Sequence, residues 1–541
     1  MLKLVTAGQA IVDGLVRNGV RRIFGIPGVH TYSLIDALHE RQGEVAYIGT
    51  RHEQGAAYMA YGYAQASGRV GVYTCVPGPG VLNTASALAT AYSANAPVLC
   101  LTSEIFSHEI GKRHGILHEL PDQLAILRGL TKWAERISDP REAPRLVARA
   151  FTELSSGRPR PVALECPWDT LGLRAEVELD RRPEVLAPPE PDPAAIESAV
   201  SLLERAVNPL ITVGSGAREA GAEVLELARL LEAPVTAHRS GRGIVSEESP
   251  YGLNLAAAYP HWLRTDVLLA IGTRMELQFI RWKHLPEGLR IIRIDIDPEE
   301  LPRRPADVGI VADARRGSRA LLAALAAKKL RRRPAREAEF NELKRRRRAE
   351  FAEVQPQVAY LDAIRAVLPR DGFFVEDICQ AGFAARFAFP VYEPRTYVGS
   401  GYQDNLGSGY MTSLGVKVAQ PERAVVSVNG DGGFMFGVQE LATAVQYGIG
   451  SVAIVFNNRS FGNVLRDQQT TFGGRFLGES LRNPDFVALA RAFGAGGSRV
   501  STPEELQREL ERALAADAPA LIEVPIEPGT EASPWPFLHP P

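Results

Sequence analysis

A chain of 541 residues, 45% hydrophobic and 23% charged, has globular composition and is too long for one hydrophobic core, so two to four domains are expected. Its formal net charge of −2 at pH 7 supplies no general attraction to nucleic acid or anionic membrane, and nothing approaches the roughly 18 consecutive apolar residues that span a bilayer. The four cysteines, Cys75, Cys100, Cys166 and Cys379, lie far apart and mostly in apolar stretches, which suits buried thiols in a reducing, cytoplasmic compartment.

The opening MLKLVTAGQAIVDGLVRNG alternates apolar and polar residues with helical period and lacks the apolar core of a secretory signal. Beyond it, short β-branched runs alternate with longer helical patterns, which predicts an α/β protein of parallel sheets flanked by helices, with ligands at the carboxyl ends of the strands. Composition shifts in RRPEVLAPPEPDPAA (181–195) and KKLRRRPAREAEFNELKRRRR (328–348) suggest three domains, over residues 1–180, 190–330 and 355–530. Glutamates interleave the second stretch, so it reads as a solvated helix joining two domains and not as a nucleic-acid site.

The middle domain carries PLITVGSGARE, DVLLAIGTR and RIIRIDIDPEEL, each a buried strand followed by a turn, as in a Rossmann-like sheet. Gly214-Ser215-Gly216 lacks the complete GxGxxG pattern, so an ordinary tight turn is favoured over a dinucleotide site. The outer domains read as distant copies. VGVYTCVPGPGVLNTASALATAYSANAPVLCLT and AVVSVNGDGGFMFGVQELATAVQYGIGSVAIVFNN each give strand, Gly-rich turn, helix and strand, and share Leu-Ala-Thr-Ala within the helix. Two related sheets in one chain suggest a cofactor held at an interface between the two domain types.

The strongest chemical signal is Gly430-Asp431-Gly432, closing a β-branched run, followed after a helix and another apolar run by Asn457-Asn458. Magnesium takes oxygen ligands and completes its shell with phosphate oxygens. Asp431 offers a carboxylate at one strand end, Asn458 a carboxamide oxygen at the next, and the Ser460 carbonyl a third ligand. Gly430, Gly432 and Gly433 leave the backbone bare beside a helix start, where a diphosphate can approach, and the turn at Phe461-Gly462 closes over the other phosphate.

These motifs, with RHEQG around Glu53, resemble the thiamine diphosphate family that includes acetohydroxyacid synthases, benzoylformate decarboxylases and benzaldehyde lyases. The resemblance runs from FGIPGVH to LIEVPI. It implies a pyrimidine-binding domain, a middle domain and a diphosphate-binding domain, with thiamine diphosphate and Mg2+ as cofactors. It further implies that Glu53 works on N1′ of the aminopyrimidine, that Pro79 and Asn83 line the pyrimidine site, that Leu406 wedges the cofactor into its bent shape, and that Gln380 lies beside the diphosphate.

His30 in GVH and His118 in LHELPDQ resemble residues of benzaldehyde lyases and of guanidino-oxo-acid decarboxylases, and are candidates for acid/base work because imidazole titrates near neutrality. Ser103-Glu104, Met275-Glu276 and Asp467 depart from the acetohydroxyacid synthase pattern, which argues against both flavin and acetolactate synthesis. Glu104, Arg466 and Asp467 would make the pocket mouth polar, suited to a cationic substrate tail, and a surface salt bridge explains the same residues equally well.

The expected function is decarboxylation of a small-molecule 2-oxo acid, with or without carboligation of the product to an aldehyde. An acetolactate synthase-like or benzaldehyde lyase-like enzyme is the alternative, with a flavin-linked oxidase or a non-catalytic homologue behind it. Family assembly implies a homodimer or homotetramer, with Glu53 from one chain facing Asp431 from the other.

Overall fold

A computed structural model describes residues 2–184, 186–328 and 333–541. It contains three six-stranded, all-parallel sheets flanked by helices, the predicted α/β class. The first sheet uses, in chain order, Arg22–Gly25, Ala46–Gly49, Gly71–Cys75, Val98–Glu104, Trp133–Arg136 and Val162–Pro167. Numbered within the sheet, the spatial order is 2-1-3-4-6-5. The last sheet, made of Phe373–Glu376, Tyr397–Val398, Val425–Gly430, Val452–Asn457, Gly496–Arg499 and Ala520–Pro525, has the same order, as the paired sequence pattern suggested. The shared Leu-Ala-Thr-Ala falls in corresponding helices, Ala85–Ser93 and Glu440–Tyr447.

Helices cover both faces of these sheets, so central strands such as Gly71–Cys75 and Val98–Glu104 are buried along their whole length. That burial explains why they read as continuous apolar runs and not as alternating ones. The two outer domains meet through Glu53–Ser67 and Ser408–Ala419, which occupy equivalent places in their domains. Their crossing depends on two glycines: a Cβ on Gly62 would run into the Thr412 carbonyl, and one on Gly415 into the Met59 carbonyl. This contact fixes the helix that begins at Glu53.

The middle sheet, made of Pro209–Val213, Val235–Ala237, Gly252–Leu253, Val267–Ile271, Arg290–Asp295 and Val308–Val311, has the order 3-2-1-4-5-6, with its switch point between the first and fourth of these. A cavity of about 890 Å³ opens beside that point. Gly214 and Gly216 are required there by packing, because a Cβ on either would strike the backbone of Gly272.

Two sequence expectations need correction. The opening segment is not helical from its start: Leu2–Thr6 is a strand paired antiparallel with Arg174–Glu178, and the helix runs over Ala7–Arg17. Nor is the basic stretch a merely solvated connector. Of its residues, 329–332 lie outside the described ones, while Glu337–Glu350 is a helix docked on the middle domain through the buried Phe340, which meets Tyr251 and His261 edge-on. Arg345 and Arg346 pair with Glu342 and Arg347 with Glu350 within the helix, and Arg348 reaches Asp362 in the next helix, Gln357–Val367. Among the described residues no helix is long and apolar enough to cross a membrane. Cys75, Cys100 and Cys166 are buried free thiols, and Cys379 is partly buried.

Candidate active site

In the first domain the strand Ala46–Gly49 leads into the helix that starts at Glu53. His52 caps that helix in an extended conformation, its Nδ1 accepting the Gln54 N–H at 3.1 Å, and a carboxylate in the first turn suits the helix dipole. Asn83 donates from Nδ2 to Glu53 Oε2 at 3.0 Å. Gly80 faces the other oxygen, since a Cβ there would lie 3.7 Å from Glu53 Oε1. The short helix Pro79–Asn83 begins after Gly78, which has φ +64° and lies against the His118 backbone. Gln123 fixes this turn, accepting the Gly78 N–H at 2.8 Å and donating to Ser103 O and Glu165 Oε2, both at 2.9 Å.

His30 and His118 are brought together. Their rings stack at 4.6 Å, and His30 also rests on Trp168 at 4.8 Å. The His30 Nε2–H donates to Leu117 O at 3.2 Å, which leaves Nδ1 as the bare nitrogen; Nδ1 of both rings is buried without a partner. Burial, with the His118 ring adding to it, lowers the His30 pKa, so this imidazole is neutral at pH 7.

In the last domain Gly430 and Phe456 pair in register, so Asp431 and Asn457-Asn458 leave neighbouring strand ends. Asp431 is buried, which raises its pKa, and its Oδ2 accepts from Asn483 Nδ2 at 2.6 Å. Asn483 also donates to Asn457 Oδ1 at 3.0 Å. Asn458 Oδ1 accepts from both N and Oγ of Ser460 at 3.0 Å. Glycines form the cradle: a Cβ on Gly432 would press on the Phe461 ring, and one on Gly462 would lie 2.8 Å from Asn458 Nδ2. Leu406 stands over Gly433, and Gln380 is buried at the start of its helix, accepting from Arg466 Nη1 at 2.6 Å.

Sequence models of thiamine pyrophosphate enzymes match three stretches: the N-terminal TPP binding domain over residues 5–126, the central domain over 196–325 and the C-terminal TPP binding domain over 377–524. The chain belongs to the thiamine pyrophosphate enzyme family. Its relatives include a probable 2-ketoarginine decarboxylase of Pseudomonas aeruginosa, 36% identical over 534 residues, covering 96% of this chain and 94% of the relative. A probable acetolactate synthase large subunit of Methanocaldococcus jannaschii is 34% identical over 551 residues, covering 96% and 92%. An acetolactate synthase of Arthrospira platensis is 32% identical over 550 residues, covering 97% and 94%. This thiamine pyrophosphate enzyme is therefore a decarboxylase or carboligase, of a family that acts on small 2-oxo acids.

The diphosphate-binding end of a thiamine pyrophosphate enzyme calls for a bare backbone and oxygen donors, and both are present. The donors at the two strand ends are a carboxylate, a carboxamide and a carbonyl, the hard set that Mg2+ prefers. A further buried oxygen, Asp377 Oδ2, lies beside Gly433 without a partner, and burial pushes that carboxyl up to about 7.

Sequence reading missed several members of the site. Asn483, in an Asn-Pro turn, ties Asp431 to Asn457, and Trp168 supports His30. Glu440 is buried and accepts the backbone N–H groups of Arg51 and His52 at 3.1 and 3.0 Å, together with the Thr443 hydroxyl at 2.6 Å. It thus holds the segment that presents Glu53. Two of the residues expected at a polar pocket mouth are already engaged. Glu104 is buried, 3% exposed, beside Arg136 at 3.6 Å, and Arg466 is committed to Gln380 and to the Glu531 carbonyl. Asp467 is exposed.

Proposed function

We propose that this chain is a thiamine diphosphate- and Mg2+-dependent 2-oxo acid decarboxylase, with capture of the product by an aldehyde as a second outcome. The observation that carries the reading is the pair of half-sites: Asp431, Asn458 and Ser460 around a glycine cradle, and Glu53 held by Asn83. Bound there, thiamine diphosphate supplies the electron sink that lets a 2-oxo acid lose carbon dioxide. Asp431, Asn458 and the Ser460 carbonyl hold Mg2+, and the backbone of Gly430, Gly432, Gly433 and Gly462 with Phe461 receives the diphosphate. Leu406 and Gln380 shape the same end. Glu53, braced on Oε2 by Asn83, exchanges a proton with the aminopyrimidine through its other oxygen, and Pro79 lines that ring.

The neutral His30, with His118 against it, takes and returns the proton that completes the reaction. The relative named for 2-ketoarginine supports a substrate with a cationic tail. The relatives named acetolactate synthase support the second reading, ligation to a second oxo acid.

The segment that presents Glu53 docks through the Arg51 and His52 backbone on Glu440, in the diphosphate-type domain of its own chain. Exposed apolar side chains flank both half-sites, Leu82 and Leu117 at one, Phe436, Val464 and Phe472 at the other. These exposed patches support a homodimer or homotetramer in which one subunit supplies Glu53 and the other Asp431. The free buried thiols support a reducing cytoplasm. The test is incubation with thiamine diphosphate, Mg2+ and a panel of 2-oxo acids, including 5-guanidino-2-oxopentanoate, with and without aldehyde. Carbon dioxide release is expected; neither carbon dioxide nor a ligated product from any of them would overturn both readings.

A further inference from the structure

A side chain distant in sequence from the metal motif holds one of its members in a defined orientation. Glu531 Oε2 accepts from Asn458 Nδ2 at 2.6 Å, while Asn458 Oδ1 is turned the other way, toward N and Oγ of Ser460. The backbone around Glu531 is itself fixed. Arg466 Nη2 donates to the Glu531 carbonyl at 3.0 Å while its Nη1 grips Gln380. Next to it, Ala532 donates from N to Gln355 O at 3.0 Å and accepts from Gln357 Nε2 at 2.7 Å. Trp535 then seals the turn, donating from Nε1 to Asn463 Oδ1 at 3.0 Å and packing on Phe383.

A carboxamide is nearly symmetric in shape, and only its neighbours decide which end is oxygen. Rotating Asn458 by half a turn would set its NH2 group where a cation needs an oxygen. Glu531 Oε2 faces Asn458 as an acceptor, which favours the NH2 end. The oxygen so oriented has two lone pairs: the Ser460 N–H takes one, and the Ser460 hydroxyl, which can rotate away, yields the other to a cation.

We propose that Glu531 is a positioning residue for the divalent cation: it locks the Asn458 carboxamide with its oxygen toward the metal position and so sets cation affinity. The inference rests on the cation half-site proposed above. Partners that orient a metal ligand typically change affinity by about 10- to 100-fold.

The test is Mn2+ binding to the full chain with saturating thiamine diphosphate, read from the free Mn2+ electron paramagnetic resonance signal and by calorimetry. Glu531→Ala is expected to weaken Mn2+ by roughly 10- to 100-fold. Glu531→Gln, which still offers an oxygen to Asn458 Nδ2, should stay within about threefold of wild type. Asn458→Asp has oxygen at both ends and needs no orienting, so adding Glu531→Ala to it should cost less than about threefold; this comparison also serves if the single alanine variant folds poorly. Unchanged affinity in Glu531→Ala, or equal losses in the Gln and Ala variants, would overturn the proposal. Asp431→Ala separates the two levels. If it abolishes Mn2+ binding while Glu531→Ala leaves it intact, only the positioning role falls; if Asp431→Ala binds normally, the half-site falls and this inference with it.

Discussion

Replacing Glu104 by glutamine should stabilise the protein in alkaline but not in acidic solution. The carboxyl ends the strand Val98–Glu104 and is 3% exposed; burial, with Glu165 adding to it, raises its pKa from 4.5 to about 7, against the pull of the Ile105 N–H and Arg136. An acid whose pKa is higher in the folded state favours folding fully below its unfolded pKa and loses that contribution as pH rises through the folded value. At about 1.4 kcal/mol per pH unit, ionising Glu104 costs the native state at most about 3 kcal/mol at pH 8.

Glutamine mimics the protonated form and still accepts the Ile105 N–H, which Glu104 Oε1 receives at 2.8 Å. Arg136 keeps its stronger partner Glu165 at 2.6 Å. Urea denaturation followed by tryptophan fluorescence, with Trp133 and Trp168 in the same domain, should show Glu104→Gln more stable than wild type by roughly 1–3 kcal/mol at pH 8, and equal to it within about 0.5 kcal/mol at pH 4.5. A variant less stable than wild type at pH 8, or a difference that does not change with pH, would refute the reasoning.

Three further changes probe the scaffold and the proton path. Gly415→Ala places a methyl group against the Met59 carbonyl, an overpacking cost of about 1–3 kcal/mol set against a helix-propensity gain of about 1 kcal/mol; a lowered melting temperature is expected, and a raised one would contradict the crossing geometry. Glu53→Gln should lower kcat by roughly 10²- to 10⁴-fold while calorimetry shows thiamine diphosphate affinity within a fewfold of wild type; unimpaired kcat would remove Glu53 from the chemistry. For His30, a lowered pKa places the acid limb of kcat/KM below the ordinary imidazole range, the rate falling as the ring is protonated. His30→Phe should abolish that acid limb together with most of the rate, and an unchanged pH profile would exclude the role.

Where a function depends on residues close in sequence, the sequence displayed it. The Gly430-Asp431-Gly432 turn and Asn457-Asn458 sit at adjacent strand ends because one crossover separates them, and such spacing is visible in a linear string. The matching strand orders of the outer sheets were likewise foreshadowed by their matching patterns. Asn483 and Glu531, by contrast, reach the site from 52 and 73 positions away from their partners, and no local pattern marks a contact made by chain return. Glu440 reads as an ordinary acidic residue in a first helical turn; only docking of the two domains turns it into the acceptor for Arg51 and His52. The sequence left Glu104 open between a pocket mouth and an ion pair, because polarity in sequence does not reveal whether a strand end faces a cleft or an arginine. The strand Leu2–Thr6 was absorbed into a helical pattern because five residues at an edge carry too little periodicity of their own, and their partner lies at Arg174–Glu178.

The central claim is that Asp431 and Asn458 hold the cation through which the diphosphate is bound. Calorimetric titration of thiamine diphosphate into wild type and Asp431→Ala, each with excess Mg2+, tests it most directly. Loss of at least about 100-fold in affinity, equivalent to about 2.7 kcal/mol, is predicted for the variant. Equal affinity in the two proteins would contradict the account.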